Sequence, residues 1–150
     1  MDKYNAESVH TRIDYVRYIY RNDLYPKNFD SLPFPIAVYG GDGVIAGANK
    51  SFREIAGITA DDISQGRANL FDCLNSDNAA LVEAAHNAFD GKERVYQGIG
   101  HALRTKTKTA ANVLSNYPNA IFFPIACDRE GVIHGAVLLD CKETENPDSL

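Results

Sequence analysis

Histidine and cysteine are the side chains of this 150-residue chain with the widest chemical reach, as bases, nucleophiles and metal ligands. The histidines are His10, His86, His101 and His134. They form no His-x-x-x-His pair and no Cys-His cluster of the spacing a metal site needs. The cysteines, Cys73, Cys127 and Cys141, are odd in number and include no redox or zinc pair, so they read as reduced, mostly buried thiols. Cys73 and His86 could meet in space, but no local pattern supports Cys/His catalysis. Gly98-Ile99-Gly100 begins a phosphate-loop pattern that Leu103 leaves incomplete. No catalytic residue and no metal ligand is assigned, and the chain is expected not to be an enzyme.

Composition narrows the setting. At 45% hydrophobic and 23% charged, the chain can build one core of ordinary size without staples. A net charge of -5 gives no overall attraction to nucleic acid or to anionic membranes. Arg104-Thr105-Lys106-Thr107-Lys108 alternates as an exposed strand edge would, and is too sparse in basic and aromatic residues for a nucleic-acid patch. No apolar run approaches the roughly 18 residues of a membrane span, and no secretory h-region follows Met1. A cytoplasmic location is expected.

The elements that would position any site follow from periodicity. Val9, Ile13, Val16 and Tyr20 form one stripe of an amphipathic helix over 6–22, with Pro33 and Pro35 in the connector after it. Ile36–Tyr39 and Val44–Ala46 flank Gly40-Gly41-Asp42-Gly43, a hairpin mark. Helices are expected at Lys50–Ala56 with Gly57 as C-cap, at Ala60–Ile63 with Thr59 as N-cap, and around Leu70–Leu74. A longer helix carrying Leu81, Val82, Ala85, Ala88 and Phe89 on one face ends at Gly91. Strands are expected at Arg94–Leu103, Ala120–Cys127 and Val132–Asp140, the last two joined by Asp128-Arg129-Glu130-Gly131. Residues 104–116 receive no assignment, and the tail from Glu143 is polar. Two strand groups around a helical block imply one antiparallel sheet with helices on one face.

This order resembles the PAS family. Ile36–Ala46 resembles its opening hairpin, and Ala48-Asn49-Lys50-Ser51-Phe52 its Asn-then-Phe step into the first core helix. Gly57-Ile58-Thr59-Ala60-Asp61-Asp62-Ile63 resembles the Gly-x-Thr-x-x-Asp/Glu-Ile step that follows. Phe89-Asp90-Gly91 resembles the end of the long PAS helix, and Pro124–Gly131 the Pro-Ile-x-Asp-x-x-Gly hairpin near the C-terminus. Leu139-Asp140-Cys141-Lys142 stands where the family often has Asp-Ile-Thr, in degenerate form, and the usual Lys-Asp-Gly turn is replaced by residues 104–118. The resemblance implies an α+β, PAS-like five-stranded antiparallel sheet preceded by an N-terminal amphipathic helix. The division is 1–31 for helix and connector, 32–145 for the PAS-like domain and 146–150 for a polar tail.

It also implies a function: a sensor in signal transduction, with small-molecule binding in a cavity between sheet and helices. Such modules serve outputs that include transcription regulation, and often pair as homodimers. The cofactor is unknown. Where flavin-binding members carry their reactive thiol this chain has Leu70, with Cys73 a turn further on; His86 lies nearer the helix end than a heme-ligating His would. Strand alternation counted from the family-like turns gives the inward set Ala37, Tyr39, Ile99, His101, Ile121, Phe123, Ile125, His134, Ala136 and Leu138. Phe52, Ile55 and Phe71 would close the helical side. These residues are either a ligand lining or filled core. Val137 and Leu139 fall on the outer face, whose apolar character requires a cover; Val9, Ile13, Val16 and Tyr20 supply it, in cis or across a dimer. The expected partners are a second copy, an unidentified small molecule and a signalling output protein. The alternatives are a constitutive docking domain without ligand, and a small enzyme with His101 or His134 as base.

Overall fold

A computed structural model describes residues 13, 14, 16, 30, 32–74, 79–97, 103–126 and 133–140. Five strands form one antiparallel sheet in the order β2-β1-β5-β4-β3. They are β1 (Ile36–Tyr39), β2 (Ile45–Ala48), β3 (Arg94–Gln97), β4 (Asn119–Ala126) and β5 (Ile133–Asp140). The helices are α1 (Lys50–Ala56), α2 (Ala60–Ser64), α3 (Leu70–Cys73), α4 (Ala79–Asn87) with a 3-10 turn at Ala88–Asp90, and α5 (Lys108–Leu114).

Local chemistry sets the helix boundaries. Asn49 caps α1 by accepting from the Phe52 N–H, and Gly57 closes it at φ 74°, a left-handed conformation costly for a residue with a Cβ. Thr59 and Asp62 form a reciprocal capping box on α2. These boundaries agree with the sequence. The unassigned segment after β3 does not remain irregular: Thr107 accepts from the Ala110 N–H and starts α5. Arg104–Lys108 is therefore no edge strand. Its threonine is a helix cap, and the Ala110-Ala111 pair behind it favours helix. Strand β2 runs on through Gly47 to Ala48, beyond the Val44–Ala46 expected from the sequence. Strand β3 is Arg94–Gln97, residues 98–102 lie outside the described residues, and Leu103 makes an isolated bridge with Leu74.

The sheet has a core on each face. On the helical side lie Ala37, Tyr39, Ala120, Phe122, Val137 and Leu139, packed with Phe52, Leu70, Leu74 and Leu81 from the helices. On the opposite side Ile36, Val38, Ile121, Phe123, Ala136 and Leu138 pack under Leu32, Phe34, Ile13 and Val16. Ile13 and Val16 are helical and fully buried within the single chain. The connector is tied to the sheet where the Leu139 N–H donates to the Pro35 carbonyl at 2.9 Å.

This reverses the facing read from the sequence for β4 and β5. Ala37 pairs with Val137 and Tyr39 with Gly135, so the odd-numbered positions of β5 share the helical face with Ala37 and Tyr39. Ile121, Phe123, Ile125, Ala136 and Leu138 lie on the outer face, and Val137 and Leu139 on the inner. A one-residue slip turns a whole strand over. Here both faces are buried, so hydrophobic alternation carries no sign of which is which.

Candidate functional site

The inner side is organised around two polar residues. Asn49 has no exposed surface, and its side chain makes three hydrogen bonds. Its Oδ1 accepts from the Ile36 N–H at 3.0 Å and the Phe52 N–H at 3.2 Å, while Nδ2 donates to the Phe34 carbonyl at 2.8 Å. One amide thus locks the start of β1, the connector and the first turn of α1 together. Asp30 reinforces the joint: its Oδ1 accepts from the Lys50 N–H at 2.8 Å and pairs with Arg53 at 3.3 Å.

Tyr39 crosses the interior. Its hydroxyl donates to the Ala85 carbonyl on α4 at 2.8 Å, and its ring meets Phe89 edge-on at a centroid distance of 5.5 Å. Burial pushes its phenol well above the ordinary value. The ring passes over its strand partner Gly135, where a Cβ would stand 2.6 Å from Tyr39 Cζ. Glycine is required there for space.

The opening hairpin is held to α3 by Asn69. Its Nδ2 donates to the Asp42 carbonyl at 3.1 Å, its Oδ1 accepts from the Phe71 N–H at 2.9 Å, and the Leu70 N–H donates to the Gly43 carbonyl at 2.7 Å. Phe71 is half-buried and stacks on His86 at a centroid distance of 4.6 Å, so His86 lies against an aromatic ring at the end of α4. Cys73 is buried. Desolvation, with the neighbouring Asp72 charge and against Lys106, raises its thiol to about 11, which makes it a poor nucleophile at neutral pH.

Ala37, Tyr39, Phe52 and Ile55 are brought together in the inner core, with Phe71 packed at its edge. Ile121, Phe123, Ala136 and Leu138 are not: they line the outer core. His134 is half-buried and pairs with Ile125 on that outer side. Ile99, His101, Val9 and Tyr20 lie outside the described residues. Sequence reasoning missed Ala120, Phe122, Val137 and Leu139, whose facing follows once Tyr39 is set opposite Gly135. Among the described residues no group of three His, Cys, Asp or Glu side chains could hold a metal, and no helix is long and apolar enough to cross a membrane.

A concavity of about 310 Å³ opens between α1 and α5. Helix α1 lines it with Ser51, Glu54 and Ile55; Thr109, Ala110 and Val113 face them from α5, with Thr107 and Tyr117 at its ends.

The fold and these sites can be set beside known proteins. A family model described as PAS fold matches residues 29–114, more than half of the chain. Among solved structures, the PAS domain of an HTR-like protein from Haloarcula marismortui is similar at a TM-score of 0.53 and 14% identity, covering 91% of this chain and 99% of that one. A sensory box sensor histidine kinase from Vibrio cholerae is similar at a TM-score of 0.49 and 13% identity, covering 90% and 99%. A search of curated proteins finds no match. With its sheet order, its helical block and this match, the chain belongs to the PAS fold family, whose members generally serve as sensory and signalling modules rather than as enzymes.

Proposed function

We propose that this chain is a sensing module in which a small molecule held between the helices and the inner sheet face alters the packing of Ile13 and Val16 on the outer face. The reading is carried by one observation: a single sheet separates two buried cores, and alternate residues of one strand enter both. Ile36 and Val38 of β1 sit in the outer core while Ala37 and Tyr39 sit in the inner one. A rotation or shift of β1 that accommodates a ligand on one side must then move side chains on the other, because packed interiors transmit strain. The ligand acts by population shift, favouring the state it fits better. Tyr39 and its bond to Ala85 join sheet to α4 and form the joint a ligand would lever.

The helical residues Ile13 and Val16 receive that movement, and an output partner or a second copy reads it. A homodimer in which the N-terminal layers of two chains meet is the arrangement this reading expects. Native mass spectrometry of the purified protein, compared with its denatured mass, tests both parts. A retained small molecule on a dimer is the expected result. A bare chain that no candidate ligand stabilises against heat would replace sensing with constitutive docking.

A further inference from the structure

The groove between α1 and α5 opens at the margin of the inner core, which its wall residue Ile55 joins, and its lining mixes polar and apolar groups. Ser51, Glu54 and Ile55 are spaced i, i+3 and i+4, so they share one face of α1; Thr109, Ala110 and Val113 share the opposing face of α5. The walls are of two kinds. Ile55, Ala110 and Val113 are apolar, and Val113 is 41% exposed. Ser51, Glu54, Thr109 and Tyr117 bring three hydroxyls and one carboxylate, and none of these side-chain groups makes a hydrogen bond or ion pair among the described residues.

Among the described residues no cation pairs with Glu54, although several lie close in the chain. Arg53 is held by Asp30 and by the Ala48 carbonyl at 2.8 Å. The Lys106 ammonium reaches the Gly57 carbonyl at the end of α1, at 3.5 Å. Lys50 and Lys108 make no ion pair with Glu54. A volume near 310 Å³ is at the low end of the range for small-molecule sites, about 300 to 1,000 Å³.

We propose that this groove binds a small organic cation, with its ammonium on Glu54 and the hydroxyls and its apolar body on Ile55, Ala110 and Val113. A charge-assisted hydrogen bond to the carboxylate fixes orientation, and apolar burial supplies the remainder. Bound there, the cation joins α5 to α1, the helix that Asn49 and Asp30 fasten to β1. That consequence rests on the sensing reading; the binding does not.

The test is a titration of the ¹⁵N-labelled full chain with phenethylamine, and in parallel with its neutral counterpart 2-phenylethanol, up to about 10 mM, the range of weak fragment binding. The expected result is amide shifts confined to residues 51–56 and 107–117 for the amine, with the alcohol at least tenfold weaker. Glu54→Gln, an exposed and nearly isosteric change, lowers amine affinity at least tenfold. Ala110→Phe fills the groove and abolishes the shifts. Equal binding of amine and alcohol, an unaltered E54Q titration, shifts centred on Tyr39 and α4, or no shift at all overturns the proposal. A silent groove in a protein that retains an interior molecule would leave sensing intact and remove this site alone. A responsive groove with no interior molecule would do the reverse.

Discussion

The two faces of the sheet each carry a buried core of aliphatic and aromatic side chains, yet they are built differently. Among the described residues the outer core is built of aliphatic and phenylalanine side chains, Ile36, Val38, Ile121, Phe123 and Leu138 under Ile13 and Val16, with Asn119 and Asp140 buried on the same alternation at the end of β4 and β5. The inner core adds a tyrosine whose hydroxyl is committed to one carbonyl, a glycine that exists to admit that ring, and at its margin an asparagine with three hydrogen bonds. An apolar layer tolerates sliding at small cost, because dispersion and area burial have little direction. A buried polar group does not, because a displaced hydrogen bond exposes an unsatisfied partner. Tyr39 and Asn49 therefore hold the inner side to one geometry.

Substitutions sharpen that contrast. The largest expected effect is at Asn49. Asn49→Ala leaves the Ile36 N–H and the Phe34 carbonyl buried without their partners and removes the α1 cap, at a cost of about 3 to 4 kcal/mol in chemical denaturation. Gly135→Ala follows, at about 2 to 3 kcal/mol, because the new methyl overlaps the Tyr39 ring. Combining it with Tyr39→Leu should recover part of that loss, and a double-mutant cycle with no coupling would break the account of Gly135. Tyr39→Phe removes only the bond to Ala85 and costs about 1 to 2 kcal/mol. On the outer face, Ile13→Val and Leu138→Met should each cost about 1 kcal/mol or less, since no directional contact is lost.

Alkaline stability gives a further contrast. Tyr39 and Cys73, whose pKa values burial raises, belong to the inner side. A raised folded pKa contributes stability that is complete below the unfolded value and lost as pH rises. For Cys73 the window runs from the ordinary value of 9.0 to about 11. For Tyr39 the loss begins above 10.0. Melting temperature should thus fall from about pH 9 upward, and Cys73→Ala should flatten the first part of that fall. At pH 7.5 the Cys73 thiol should carry about a hundredfold less thiolate than an ordinary one, seen as slow alkylation at this site by peptide mapping.

Much of this was legible in the residues. Gly57, Thr59 and Gly91 punctuate helices where their conformational preferences say they should, and the Asp42-Gly43 turn marks the first hairpin. The facing of β4 and β5 was not legible, because alternation informs only when one face is wet, and here Ile121 and Phe122 are both buried. Helix α5 was masked by the alternating Lys106-Thr107-Lys108, in which the threonine cap outweighs the strand-like pattern. The groove arises only when α5 is set against α1, a long-range packing that no local spacing encodes.

On the reading proposed above, the two cores are coupled through one shared sheet. The most direct measurement places a 4-fluorophenylalanine at Phe34, in the outer core, and reads its ¹⁹F resonance in the native state before and after Leu81→Ala in α4 of the inner core. The account predicts that the resonance moves or splits although the substitution touches only the opposite face. An unchanged resonance in a protein that stays folded would contradict it.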